Sequence, residues 1–235
     1  MKRPSSRAAL AAASLQVALA LGGGSQARAA AAETCVTSGA HIIVARESGA
    51  PEGVSVLNVV AEEVAARCSG SDIAGVPYPA EFNPYVESEG YGVGNLTEMV
   101  LDYQGSCPDS KVVLMGYSQG AQLTADFLCG TSESGFPETE AYASNVTDTV
   151  AAVVLMGDPS FVAGLSWDNG TAENVSYFPR LDTASCDPIA DKMVSYCDSN
   201  DYYCDGGTSI VVHANYVTKY HSEAVDFVVG LLGGC

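Results

Sequence analysis

Lys111–Asp126 reads KVVLMGYSQGAQLTAD. Four apolar residues, Val112–Met115, run into Gly116-Tyr117-Ser118-Gln119-Gly120, and a helical pattern follows over Gln122–Leu128. A short apolar run closed by glycine and followed by helical spacing predicts strand, sharp turn, helix. A serine on such a turn has strained backbone angles, so its neighbours must be small. Gly116 and Gly120 let strand and helix pass close together. The G-x-S-x-G spelling in this setting is a nucleophile elbow. It exposes Ser118 Oγ above the carboxyl edge of a sheet, over a helix N-terminus that favours developing negative charge.

Outward from the elbow, His41–Arg46 reads as a first strand and Val54–Arg67 as a helix, with apolar residues at helical spacing. Ile73–Tyr78 is a second short strand. Glu81–Tyr91 has no clear period and reads as loop, and Asn95–Tyr103 as helix. Beyond the elbow, Val150–Met156 is a strand buried on both faces. Lys192–Tyr196 is open between strand and helix end, Ile210–His213 is apolar, a strand-like run that leads into a loop at His213, and Tyr220–Leu232 is a final helix. Strands that alternate with helices predict an α/β fold, a parallel sheet with helices on both faces and a site at the strands' carboxyl ends. No repeat, linker or second domain is visible.

Lys2, Arg3 and Arg7 precede an apolar, alanine-rich run from Ala8 to about Leu21, and Ala27-Arg28-Ala29 offers a cleavage site. Residues 1–29 therefore read as a secretory signal peptide, and 30–235 as one domain with a short pro-piece allowed at its start. Beyond the leader, six Lys and Arg stand against 28 Asp and Glu, a balance of −22. So acidic a chain argues against nucleic acid and anionic membranes as partners. All eight cysteines lie after the leader, and an even count in a secreted chain implies disulfides. There is no C-x-x-C pair to suggest zinc. Asn95, Asn145, Asn169 and Asn174 open glycosylation sequons.

A serine hydroxyl needs a general base in hydrogen-bond reach and an acid to orient that base. Of three histidines, His41 opens the first strand on the amino side of the sheet, and His221 begins the last helix. His213 sits in a loop ahead of that helix, where the chain order Ser, acid, His puts the base. For the acid, two candidates stand open. Asp158 ends a strand but also suits a plain Asp-Pro turn. Asp201 lies in Cys197-Asp-Ser-Asn-Asp-Tyr-Tyr-Cys204, which a bridge between the two cysteines would make rigid. Donors for an oxyanion are the Gln119 N–H and, from the loop after the first strand, Ser48, which reads equally well as a turn serine.

The chain resembles the secreted fungal cutinase and acetylxylan esterase family of small serine esterases. The resemblance is carried by Ala45-Arg46-Glu47-Ser48, Tyr78-Pro79-Ala80, Gly116–Gly120, Met156-Gly157-Asp158-Pro159, the Cys197–Cys204 loop and His213. It implies a compact, lidless α/β-hydrolase fold of about five strands. It implies Asp201 as the acid and Ser48 with Gln119 as the oxyanion hole. It also implies Cys35–Cys107, Cys197–Cys204 and Cys129–Cys186 disulfides, with Cys68–Cys235 the remaining pair. MGDPSFVAGLSW and SYCDSNDYYC lean towards the acetylxylan esterase branch. Two features depart from it: Tyr78-Pro79-Ala80 runs on into Glu81-Phe82-Asn83-Pro84, and apolar Val211 and Val212 precede His213.

The expected activity is ester hydrolysis through an acyl-serine, without metal or organic cofactor. The expected substrate is an ester on a plant cell-wall polymer, acetylated xylan first and cutin as the alternative. The protein is expected outside the cell, as a monomer. A secreted binding protein without catalysis is a distant third reading, which the complete Ser118, Asp201 and His213 set opposes.

Overall fold

A computed structural model describes residues 34–146 and 148–235. The signal-peptide reading lies outside the described residues. The chain runs β1 (His41–Ala45), α1 (Asn58–Arg67), β2 (Asp72–Gly75), α2 (Tyr85–Ser106), β3 (Val112–Tyr117) and α3 (Gln119–Cys129). It continues through α4 (Ala143–Val146), β4 (Val150–Met156), β5 (Asp168–Gly170), a 3₁₀ segment (Ala184–Lys192), β6 (Met193–Cys197), α5 (Ile210–His213) and α6 (Tyr216–Leu231).

The strands form one sheet in the order β2-β1-β3-β4-β6-β5, and every pairing is parallel. The expectation of five strands is corrected to six. The extra edge strand, Asp168-Asn169-Gly170, has no apolar residue to announce it and is held by its pairing with β6. Successive strand residues point to opposite faces. Ile42, Val44, Val113, Met115, Val154 and Met156 pack towards α1 and α6. Ile43, Ala45, Leu114, Val153 and Leu155 pack towards α2 and α3. The central strands are covered on both sides, which is why they read as unbroken apolar runs.

Two further expectations are corrected. Glu81–Tyr91 is not all loop, because α2 begins at Tyr85, well ahead of Asn95. Its first turns bury Ser88, Glu89 and Gly92 rather than aliphatic residues, so no apolar stripe marks them. Ile210–His213 is a short helix, capped where Ser209 Oγ accepts from the Val212 N–H at 3.1 Å. Lys192–Tyr196 resolves as β6.

The register fixes where the loops emerge. Ala45 lies opposite Gly116, and Tyr117 opposite Met156, which in turn lies opposite Tyr196. The segments after β1, β3, β4 and β6 therefore leave the sheet along one edge. The close passage of β1 over α3 depends on Gly120, where an added Cβ would lie 2.0 Å from Ala45 O and 2.6 Å from Arg46 O. Both neighbours are backbone and cannot swing aside. Gly120→Ala is expected to cost more than about 3 kcal/mol. That lowers Tm by roughly 6–12 °C for a chain of this size. A thermal melt of the variant matching wild type would show that the elbow can open.

Four disulfides join Cys35–Cys107, Cys68–Cys235, Cys129–Cys186 and Cys197–Cys204. Cys68–Cys235 links the end of α1 to the chain terminus across 167 residues. No helix among the described residues is long and apolar enough to cross a membrane.

Candidate active site

Ser118 stands between β3 and α3 with φ 54° and ψ −120°, outside the ordinary regions for a residue with a Cβ. Such strain persists only where the surroundings enforce it. Here the Ser118 N–H donates to Met156 O at 2.9 Å, while Ser118 O accepts from Ala121 and Gln122. The turn is thus tied both to β4 and to the first turn of α3.

His213 Nε2 lies 2.9 Å from Ser118 Oγ. His213 Nδ1 lies 2.9 Å from Asp201 Oδ2 and 3.1 Å from Oδ1. An ionised carboxylate only accepts, so Nδ1 carries the hydrogen and Nε2 is left to accept from the serine hydroxyl. Asp201 is fully buried. Its Oδ1 accepts from the Tyr203 N–H at 2.7 Å and the Cys204 N–H at 2.9 Å, and its Oδ2 from the Tyr216 hydroxyl at 2.7 Å. Burial alone would raise its pKa. The His213 hydrogen bond and charge, the Cys204 N–H and the Tyr216 hydroxyl outweigh burial and hold it below the ordinary aspartate value.

His213 is held through its backbone and crowded at its ring as well. Tyr117 donates its hydroxyl to His213 O. Gly157 sits at φ 63°, and a Cβ there would lie 2.9 Å from His213 Cε1. Sequence reasoning missed Tyr216 and Tyr117. Both are buried tyrosines whose only outward sign was an aromatic residue beside each motif.

The Gln119 N–H, first in α3, has no acceptor among the described residues. The Gln119 side chain is fully buried; it accepts from Ser88 Oγ at 3.1 Å and donates to Glu81 O at 3.1 Å. Ser48 lies two residues after the buried Arg46. Arg46 donates to Ala50 O at 2.9 Å, to Val76 O at 3.1 Å and to Tyr78 O. Glu47 accepts from Ser55 Oγ at 2.9 Å. These bonds fasten the loop after β1 beside the elbow. Ser48, Ser118 and His213 line one cleft of about 220 Å³, with Val56, Phe82, Tyr203 and Ile210 as its apolar walls.

Asp158, the other acid candidate, does not meet His213. Its Oδ1 accepts from the Ser160 N–H at 2.7 Å and Oγ at 2.8 Å. It belongs to a buried set with Glu89, Asp126, Glu133 and Arg180. Arg180 donates to Asp126 Oδ1, to Gly130 O and, at 3.2 Å, to Ser160 Oγ. Glu133 Oε1 lies 2.9 Å from Arg180 Nη2 without the alignment of a hydrogen bond. Burial pushes Glu89 up to about 7 and Asp158 up to about 6. It pushes Asp126 well above its usual range, with Glu89 and Glu133 adding to the effect.

His41 Nδ1 is 2.6 Å from Asp72 Oδ1 and its ring stacks on Tyr103, at the far end of the sheet. His221 lies 3.4 Å from Glu63 Oε2. No group of His, Cys, Asp and Glu among the described residues is arranged to hold a metal ion. Of the sequon asparagines, Asn145, Asn169 and Asn174 are exposed and Asn95 is half-buried. Asn95 Nδ2 donates to Pro77 O, and Asn174 Nδ2 to Asp205 Oδ2 at 3.0 Å.

The profile of the family described as Cutinase matches residues 36–232. Acetylxylan esterase 2 of Talaromyces purpureogenus is 34% identical over 203 residues, 82% of this chain and 86% of the relative. Cutinase 11 of Verticillium dahliae is 32% identical over 199 residues, 80% of this chain and 67% of the relative. The solved catalytic core of acetylxylan esterase from Trichoderma reesei is 31% identical with a TM-score of 0.77, covering 83% of this chain and 98% of that one.

Proposed function

Because the chain belongs to the cutinase family and is a serine carboxylic-ester hydrolase, we propose that it removes acetyl groups from acetylated xylan, with Ser118, His213 and Asp201 as its catalytic residues. The observation that carries this reading is the continuous chain of short hydrogen bonds from Ser118 Oγ through the imidazole to Asp201. The likeness to acetylxylan esterases over four-fifths of the chain supplies the substrate.

Ser118 Oγ attacks the ester carbonyl carbon as His213 Nε2 takes its proton. The carbonyl oxygen becomes an oxyanion, bound by the Gln119 N–H and by Ser48. Collapse of the tetrahedral intermediate breaks the bond to the sugar oxygen, which takes the proton from Nε2. Water repeats the sequence on the acyl-serine and releases acetate. Asp201 holds the tautomer and stabilises the imidazolium. Each oxyanion donor is worth on the order of 3 kcal/mol in the transition state. We place the protein outside the cell, as a monomer, with one hydrolase domain following a cleaved leader; its four disulfides suit an oxidising compartment.

The likeness to acetylxylan esterases favours a short acyl group in the cleft beside Ser118. A second reading, cutinase action on aliphatic polyesters, draws on the exposed Phe82 and Ile210 that line the cleft. A 4-nitrophenyl ester series from acetate to octanoate on the purified protein separates the two. The deacetylase reading expects kcat/KM to fall at least about tenfold from acetate to butyrate, the cost of one or two methylenes a pocket cannot accept. A maximum at butyrate or beyond would replace it with the cutinase reading.

A further inference from the structure

The direction of proton delivery fixes which half of the ester lies where. His213 Nε2 both takes the serine proton and returns it to the leaving oxygen, so the alcohol half of the substrate lies on the imidazole side. The surface there is aromatic. The Tyr203 ring packs 4.6 Å from the His213 ring at 62°. Tyr202 follows at 4.9 Å from Tyr203, and Tyr177 stacks on Tyr202 at 6.0 Å and 26°. Tyr177 is 53% exposed and Tyr202 38%. Phe82, which also lines the cleft, lies against Gly49, next to Ser48.

We infer that Tyr177, Tyr202 and Tyr203 form a glycan-stacking platform that holds the sugar backbone of a neutral polysaccharide while its ester reaches Ser118. The inference deepens the deacetylase reading and rests on it in one respect: the ester's alcohol must be a sugar. Three contiguous tyrosines leading out of a reactive cleft are not the scattered apolar residues normal on a surface. Their ring faces carry partial negative charge and suit the C–H faces of pyranose rings. The chain's excess of carboxylates repels anionic polymers and leaves neutral ones. The platform is also rigid. The Tyr177 N–H donates to Tyr203 O at 2.7 Å, and Tyr202 and Tyr203 lie inside the loop closed by Cys197–Cys204. Little ordering remains to be done when a chain lies down on it.

The test compares wild type, the double variant Tyr177→Ala/Tyr202→Ala, its Phe/Phe counterpart, and Tyr91→Ala as an exposed control on α2. Two readouts are taken: kcat/KM on acetylated xylan relative to 4-nitrophenyl acetate, and retardation of each protein, carrying Ser118→Ala, in gels containing unsubstituted xylan. The double alanine variant is expected to lower the polymer-to-small-ester ratio about tenfold, through KM, the scale of two aromatic contacts. It is expected to lose its retardation. The Phe/Phe variant and Tyr91→Ala should keep both. An unchanged ratio, or a phenylalanine variant as poor as alanine, overturns the platform. If wild type hydrolyses 4-nitrophenyl acetate but not acetylated xylan, the deacetylase reading fails on its own. The platform then stands if retardation by xylan depends on Tyr177 and Tyr202, and falls if it does not or if wild type is not retarded.

Discussion

Ser118→Ala is expected to lower kcat on 4-nitrophenyl acetate by about 10⁶-fold, the loss seen when an activated serine is removed from a complete relay. The fold should not notice. Alanine at φ 54° is neither better nor worse placed than serine, and the bonds that hold the turn, Ser118 N–H to Met156 O and Ala121 and Gln122 to Ser118 O, are made by backbone. What the variant loses is the hydroxyl 2.9 Å from His213 Nε2. A residual rate of roughly 10³–10⁴ over water should persist, because an oxyanion hole works without the nucleophile. Labelling by a serine-directed phosphonate should vanish with the activity. A variant that keeps more than about 1% of wild-type kcat, far above the residue expected from the oxyanion hole, would remove Ser118 from the mechanism.

Arg180→Met is expected to cost about 3–5 kcal/mol near pH 7.5, because it strips the one guanidinium from a buried set of four carboxyls. The loss should shrink in acid. Glu89 rises from 4.5 in the unfolded chain to about 7 in the folded protein, and Asp158 from 3.8 to about 6, chiefly through burial. A raised carboxyl binds its proton more tightly when folded. Its contribution is therefore complete below the unfolded value and is lost as pH climbs through the folded one. For Glu89 that window is pH 4.5 to about 7, and for Asp158 pH 3.8 to about 6. The Glu89 part alone is on the order of 3 kcal/mol. Asp201 runs the other way: its lowered pKa contributes above the unfolded value of 3.8 and is lost as pH falls below it. Wild type should thus be most stable near pH 4.5 and weaken towards pH 7.5. Denaturant melts of both proteins at those two pH values check this. An equal loss for Arg180→Met at both would mean the carboxyls take up no protons.

The parts of the fold legible in the sequence are those where a residue type has one reason to be present. Gly116 and Gly120 beside Ser118 announce a close backbone crossing, and β3 and α3 follow from it. Val150–Met156 can only be a strand covered on both faces. The start of α2 was hidden because it buries Glu89, a residue whose partner Asp126 lies on another helix. Ile210–His213 misled because Ile210 and Val211, although apolar, face water, and the turn is set by Ser209. At the candidate site, spacing and chain order singled out Ser118 and His213, whereas residues alone left Asp158 beside Asp201. The decision between them is tertiary: Asp158 turns towards Ser160 and Arg180, Asp201 towards the imidazole. Tyr216, which donates to Asp201 Oδ2, acts from the first turn of α6, and no local pattern in the sequence could connect the two.

Every residue of α3, from Gln119 to Cys129, is buried, and the helix carries the elbow at its first turn. Segments packed this completely exchange their amide hydrogens only when the whole molecule opens. The Gln122–Leu128 amides should therefore be among the slowest to take up deuterium, at a rate set by global unfolding. Heat inactivation and loss of structure then become one event rather than two, and a protein that still holds its shape is one that still holds Ser118 on its turn.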